Sequence, residues 1–167
     1  MEESMEIQKM YQEYALPLKR YVLSLCRNET ISEDIVADTF YKAIKNIDHF
    51  QGWRTLTWLC AIARNTYLDY VRKKEYKNLS LSDEMKEQIG DEQLLPEQIL
   101  LQKEEKLQMH RMIQKLGQEE KDVVYLRSFA DLSFKEIGNI LGKSENWARV
   151  TFYRSKTKLK GWFEDEC

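Results

Sequence analysis

The chain has 167 residues, room for one domain or two small ones, with 43% apolar and 32% charged residues and a formal net charge of −2. Six glycines, two prolines (Pro17 and Pro96) and no sustained apolar–polar alternation predict an all-α protein. Cys26, Cys60 and Cys167 are far apart with no histidine beside them, which argues against a disulfide framework or a metal site, and without a secretory signal or a membrane-length apolar run the expected compartment is the cytoplasm.

The first predicted helix covers about Ile7 to Cys26, with Tyr11, Ala15, Leu18, Val22 and Leu25 on one face. Pro17 is expected to kink or break it, because proline lacks the donor that a helix interior needs. After the polar gap Arg27-Asn28-Glu29-Thr30, Ser32 is the expected N-cap of a second helix. Glu33 and Asp34 then fall in the first turn, where the helix dipole favours acids. Val36, Phe40, Ile44 and Ile47 form its expected buried stripe, with Asp34 and Asp38 on other faces. A loop from Asp48 to Arg54 carries His49, Phe50, Gly52 and Trp53. It leads to a third helix over about Leu56 to Lys74. There Leu59, Ile62, Ala63, Thr66 and Tyr70 are expected inside, and Thr57, Arg64, Asn65 and Arg72 outside.

From Glu75 to Gln93 the periodicity dissolves into a linker containing Asn78, Ser80, Ser82 and Gly90. Pro96 is well placed to start the next helix, which carries Ile99, Leu100, Leu107, Met112, Ile113 and Leu116 and is ended by Gly117. Glu119 to Phe129 form another helix. The expected organisation is an N-terminal helical domain at 1–76, a linker at 77–95 and a C-terminal domain at 96–167. No internal repeat is apparent.

The most informative segment is Leu132-Ser133-Phe134-Lys135-Glu136-Ile137-Gly138-Asn139-Ile140-Leu141-Gly142, followed by Lys143-Ser144-Glu145-Asn146-Trp147-Ala148-Arg149. Phe134, Ile137, Ile140 and Leu141 share one face of a short helix. Gly142 can end it with a positive φ, and Ser144 can cap a second helix. That second helix has Glu145 as its only early acid and an inner face of Ala148, Phe152, Ser155 and Leu159. Its basic residues are Arg149, Arg154, Lys156, Lys158 and Lys160. A supporting helix, a tight turn and a basic second helix fit the major groove of duplex DNA, although many αα-hairpins with this pattern touch no DNA.

The modest net charge hides a segregation. Arg64, Arg72, Lys73, Lys74 and Lys77 cluster in the middle of the chain, and a second basic cluster lies near its end. Between them come Asp83, Glu84, Glu87, Asp91, Glu92 and Glu97. Two basic patches joined by an acidic connector suggest two contacts with one polyanion.

In two segments the chain resembles the extracytoplasmic-function (ECF, group IV) sigma factors of the sigma-70 family. Ser32-Glu33-Asp34-Ile35-Val36-Ala37-Asp38-Thr39-Phe40, Thr57-Trp58-Leu59, Ile62-Ala63-Arg64-Asn65 and Leu68-Asp69-Tyr70-Val71-Arg72-Lys73-Lys74 are similar to region 2. Leu116, Val123-Val124-Tyr125-Leu126-Arg127, Leu132-Ser133-Phe134-Lys135-Glu136-Ile137, Leu141-Gly142-Lys143-Ser144 and Arg154-Ser155-Lys156 are similar to region 4. The resemblance implies that region 2 clamps the β′ coiled coil of core RNA polymerase and opens the −10 element. Region 4 would read the −35 element of promoter DNA and touch the β flap. It also implies an anti-sigma factor partner, often membrane-anchored.

Carried onto this chain, Asp34 and Asp38 are the polymerase-binding candidates, although Asp34 would equally suit a helix start. Trp53, Arg54, Arg64, Asn65, Arg72, Lys73 and Lys74 are the −10 candidates. Aromatic and polar groups can hold an extruded base, while lysines hold phosphates. Trp53 is expected to be exposed and Trp58 packed. In region 4 the −35 candidates are Ser144, Asn146, Trp147, Arg149, Val150, Tyr153, Arg154, Lys156 and Lys158. Arg149 can pair with guanine and Asn146 with adenine, while Arg154, Lys156 and Lys158 suit phosphates.

The chain departs from the family pattern in four places. The loop Phe50-Gln51-Gly52-Trp53-Arg54-Thr55-Leu56 is about one residue short. Gly117 replaces a usual Pro, and Gly138 replaces a usual Ala and allows closer helix approach. Glu145-Asn146-Trp147-Ala148 replaces a frequent Val-Gly-Thr-Val. The alternative reading is a stand-alone helix-turn-helix regulator that binds a palindrome as a dimer. It leaves the basic third helix and its aromatic loop unexplained. An enzyme is not expected, and neither a cofactor nor a small-molecule substrate. No phosphate loop or nucleophile–base pair stands out, and His49 and His110 are isolated.

Overall fold

The computed structural model describes residues 2–50, 52–78 and 97–165, and every regular element among them is helical. Contacts divide the chain into two units, 1–91 and 92–167. In the first, α1 (Glu2–Cys26), α2 (Glu29–Lys45) and α3 (Thr55–Asn78) pack pairwise, with a single 3₁₀ turn at Ile47–His49. In the second, α4 (Glu97–Gln114), α5 (Gln118–Ser128) and α6 (Phe134–Leu141) each pack against α7 (Glu145–Asp165). The start at Pro96, the linker beyond Asn78 and Cys167 lie outside the described residues, as do the side chains of Ile99 and Leu100.

The first core combines Leu18, Tyr21, Val22 and Leu25 of α1 with Ile35, Val36, Phe40 and Ala43 of α2 and Leu59, Cys60 and Ala63 of α3. Several expectations fail here. Pro17 does not break α1, which runs unbroken through it. Pro17 and Glu13 are both exposed, so water can satisfy the carbonyl that proline leaves free. Ser32 is not the N-cap of α2. Asn28 is, its side chain accepting from the Ile31 amide at 3.0 Å, and Ser32 lies buried one turn later with its hydroxyl donating to the Glu29 carbonyl. Thr57 is buried rather than exposed, because α3 packs against both α1 and α2 and needs a wider inner arc than one stripe. Ile44 and Ile47, expected inside, are 39% and 38% exposed. Tyr11 is also exposed, but its ring still meets Phe40 at 5.0 Å.

Tyr67 of α3 ties two helices by donating its hydroxyl to the Leu25 carbonyl, 3.2 Å away. Burial pushes its pKa up to about 12, from an ordinary value near 10. The protonated phenol is therefore the form the fold prefers. Its stabilisation is complete below pH 10 and is lost as pH rises from about 10 to about 12. The loss amounts to no more than about 3 kcal/mol. Denaturant titrations across that window should show the first unit weakening, and Tyr67→Phe should remove this part of the slope.

The second core is built from Met112, Ile113 and Leu116 of α4, Val123, Val124, Tyr125 and Leu126 of α5, Leu132, and Phe134 and Ile137 of α6 against Ala148 of α7. Gly117 does not end α4, which stops at Gln114; it is the extended N-cap residue of α5. Leu159 and Phe152 are half-buried rather than core. No helix among the described residues is long and apolar enough to cross a membrane.

Candidate nucleic-acid interface

The hairpin of α6 and α7 is fixed by local capping at the start of α6 and on both sides of the turn. The Ser133 hydroxyl caps α6, accepting from the Glu136 amide at 3.1 Å and donating to the Glu136 carboxylate at 3.1 Å. Gly142 closes α6 in the left-handed region (φ 69°), with the Lys143 amide returning to the Gly138 carbonyl at 2.8 Å. Ser144 caps α7 as expected, accepting from the Trp147 amide at 3.0 Å. Gly138 lies so near the turn that a Cβ there would stand 2.7 Å from the Lys143 carbonyl oxygen and 3.0 Å from that of Ser144.

Ala148 and Ser155 are fully buried and set the inner side of α7. The opposite side presents Asn146, Val150, Tyr153 and Thr157, all exposed and spaced three or four residues apart. Arg149 and Arg154 flank this ridge, and Arg149, Val150, Tyr153, Arg154, Thr157 and Lys158 line one shallow depression. Thr157 belongs to the same strip although it was not a sequence candidate. Its signal was its place four residues beyond Tyr153. Lys156 is exposed on the Arg149 side.

Two candidates are engaged with other side chains. Lys158 places its ammonium 3.0 and 3.1 Å from the two carboxylate oxygens of Glu120, which the Ser155 hydroxyl also approaches at 3.2 Å, so it fastens α7 to α5. Trp147 is half-buried, with the Lys143 ammonium 5.4 Å from its ring.

Arg149 is held from two sides. Its Nη2 donates to the Glu145 carboxylate at 3.2 Å, and its Cζ lies 5.5 Å from the centre of the Phe134 ring. The same ring takes the Arg127 guanidinium at 4.2 Å, and Arg127 also donates to the Leu132 carbonyl at 3.0 Å.

In the first unit, Trp58, Asn65 and Arg72 follow one another at seven-residue spacing along the side of α3 opposite its buried residues, over about 21 Å, with the exposed Arg54 just ahead of the helix. Asn65 and Arg72 are exposed. Arg64 borders this line and donates to Asn65 Oδ1 at 3.4 Å, and Arg72 pairs loosely with Asp69 at 3.8 Å. Phe50 and Trp58 stack at 4.7 Å with 38° between their planes, a platform at the head of the line. Gly52 bends the loop (φ 80°), and Trp53 is half-buried rather than exposed. Lys73 is exposed on a neighbouring side. Lys74 is not brought to the line: its ammonium sits 5.3 Å from the Tyr70 ring, and its side chain leaves in another direction.

Asp34 and Asp38 stand exposed on α2. With α2 starting at Glu29, Asp34 lies in the second turn, where the helix dipole no longer accounts for it. Asp38 pairs with Lys42 at 3.5 Å, one turn on. Among the described residues no cluster of His, Cys, Asp and Glu could hold a metal ion.

Comparisons with known proteins fit this two-part layout. Residues 10–76 match the family model for sigma-70 region 2, and residues 106–159 match that for sigma-70 region 4. The ECF RNA polymerase sigma factor SigW of Bacillus subtilis (strain 168) is 30% identical over 142 residues, covering 80% of this chain and 76% of the relative. The ECF RNA polymerase sigma factor SigM of the same organism is 28% identical over 160 residues, covering 95% and 96%. Among solved structures, CnrH in complex with the cytosolic domain of CnrY aligns with a TM-score of 0.72. It is 18% identical and covers 98% of this chain and 91% of that one, a likeness of fold. The sigma factor RpoE in complex with the anti-sigma factor NepR, from Bartonella quintana, aligns with a TM-score of 0.66 at 19% identity, covering 94% and 98%.

Proposed function

This chain belongs to the ECF RNA polymerase sigma factors of the sigma-70 family, and from that premise we infer how its two exposed faces divide the work of starting transcription. It is an alternative sigma factor that directs transcription initiation through RNA polymerase. The observation that carries the division of labour is the pair of solvent-facing lines, one on α3 and one on α7, in units that match region 2 and region 4 in that order. Residues 1–76 are the core-binding and −10 unit, 77–95 the connector and 96–167 the −35 unit.

In this reading α7 enters the major groove with its first turns toward the base edges. Arg149 takes a guanine, Asn146 an adenine, and Val150 can meet a thymine methyl. Ser144 and Trp147 border the entry, with Tyr153 deeper on the same ridge. Arg154 and Lys156 hold phosphates, which position without specifying. Lys158 joins them only by giving up Glu120. Arg54, just ahead of α3, and Arg64, Asn65 and Arg72 on it track the opened strand from the Phe50–Trp58 platform, with Trp53 beside it as the group that meets an extruded base. Lys73 serves the flanking phosphates. The chain works by binding and not by catalysis, in the cytoplasm, with no cofactor. Both solved neighbours are named in complex with a partner, the cytosolic domain of CnrY in one and the anti-sigma factor NepR in the other, and an anti-sigma factor is the partner we propose here.

The test is in vitro transcription by bacterial core RNA polymerase on fragmented DNA from the chain's own genome. Transcripts from a small set of starts that depend on the chain support the reading, and aligning them yields both promoter elements. A chain that shifts duplex DNA unaided while adding no transcript would instead be a stand-alone regulator.

Asp34 and Asp38 are the proposed contacts to the basic β′ coiled coil. Asp38→Lys should weaken binding to core polymerase about tenfold or more, because like charges brought together at an interface cost several kcal/mol. The fold should survive it. The new lysine faces Lys42 across one exposed helical turn, a repulsion of only about 0.2–0.5 kcal/mol. Titration of core polymerase against labelled chain measures this, and an unchanged Kd would remove Asp38 from the interface.

A further inference from the structure

Glu145 is at first sight misplaced. It is an exposed carboxylate in the first turn of the helix that we place among DNA phosphates, where negative charge is repelled. A helix start tolerates an acid for reasons of its own dipole, and a Glu–Arg pair one turn apart on a surface contributes little to stability. Neither accounts for what surrounds the pair. The guanidinium that Glu145 takes at 3.2 Å is the one lying 5.5 Å from the Phe134 ring, and that ring is itself packed against Phe152 and Tyr153 at 5.7 and 6.1 Å. Arg149 is thus braced by a carboxylate from its own helix and by an aromatic face from the supporting helix.

Resting on the reading of α7 as the −35 helix, we propose that Glu145 is a positioning residue for promoter specificity, acting through Arg149. A guanidinium carries five N–H donors, and Glu145 engages Nη2 alone. The outer edge of the fork stays available for the O6 and N7 of a guanine, in an orientation set before DNA arrives. The same pairing keeps Arg149 from swinging to any nearby phosphate. A phosphate would reward contact with every sequence alike, whereas the braced fork rewards one base pair.

The experiment uses the full chain with core RNA polymerase and a promoter library randomised across the −35 element, with the −10 element fixed from a mapped start and the transcripts sequenced. Wild type should prefer one base strongly at the position Arg149 meets. Glu145→Gln keeps the side-chain length and removes the charge. It should cut that preference about threefold or more while total transcription stays within about twofold, since the phosphate-driven part of binding is not lost. In an Arg149→Ala background the same substitution should change nothing further, which is the sign of a residue acting through its neighbour. A base profile identical to wild type in Glu145→Gln would overturn the proposal. So would a Glu145→Gln effect that persists without Arg149, which would make Glu145 itself a base contact. Equal loss over all −35 sequences would reduce it to a helix-start acid and likewise overturn it. If wild type yields no chain-dependent transcript, the sigma reading fails first and takes this inference with it.

Discussion

Gly138→Ala is expected to lower the melting temperature of the second unit by about 4–8 °C, a net cost of about 1 kcal/mol, and to weaken −35-dependent transcription, while binding to core polymerase through the first unit persists. Two effects oppose each other at this position. Inside a helix alanine is favoured over glycine by about 1 kcal/mol. Against that, the added Cβ would stand 2.7 Å from the Lys143 carbonyl oxygen and 3.0 Å from the Ser144 oxygen. Both obstacles are backbone atoms of the turn, so neither can rotate aside. The turn must open, and overpacking of this kind typically costs about 1–3 kcal/mol. It also displaces Ser144, whose hydroxyl caps α7, so the whole recognition helix shifts with it. Gly142→Ala is the informative comparison. Its φ of 69° makes any side chain strained, but a Cβ there meets nothing within 4 Å. It should cost about 1–2 kcal/mol and leave promoter choice intact. Thermal unfolding with transcription from a −35-dependent and a −35-independent promoter separates the two. Equal behaviour of both variants would mean that the turn yields easily.

The same contrast explains how much was legible in the sequence. The helix-turn-helix could be read almost to the residue because its determinants are local. Gly142 and Ser144 act within a few residues of the turn they shape, and Phe134 and Ile137 repeat at the helical period. The start of α2 is also local, yet Asn28, Thr30 and Ser32 are all acceptable caps within five residues, and only the packed structure selects Asn28. Thr57 could not be placed because its burial depends on two other helices closing over α3. Nor could the bond between Lys158 and Glu120, which joins positions 38 residues apart, so a lysine in a basic run looked like a phosphate contact. On α3 the outward Asn65 and Arg72 were visible, whereas Lys74 shares the charge of Arg72 but not its side. Charge is written in the sequence, and direction is supplied by the fold.

Arg149→Ala should relax selectivity at one −35 position by about 5- to 150-fold, the equivalent of the roughly 1–3 kcal/mol that a good bidentate base contact contributes to discrimination. The size of the loss reflects preorganisation. Arginine ordinarily surrenders considerable side-chain freedom on binding, but here Glu145 and Phe134 already hold the guanidinium in the free protein. Little of the contact is therefore spent on ordering, and its removal should be felt nearly in full. Arg154→Ala and Lys156→Ala make the proper controls. Both side chains are exposed and neither has a comparable brace, so each should weaken all promoters by a similar factor and flatten the salt dependence by about one ion. A transcription series over every single-base variant of the −35 element reads both patterns at once. A loss from Arg149→Ala spread evenly over all variants would show a phosphate contact. In that case the brace around the guanidinium would serve the stability of the α6–α7 hairpin rather than the choice of promoter.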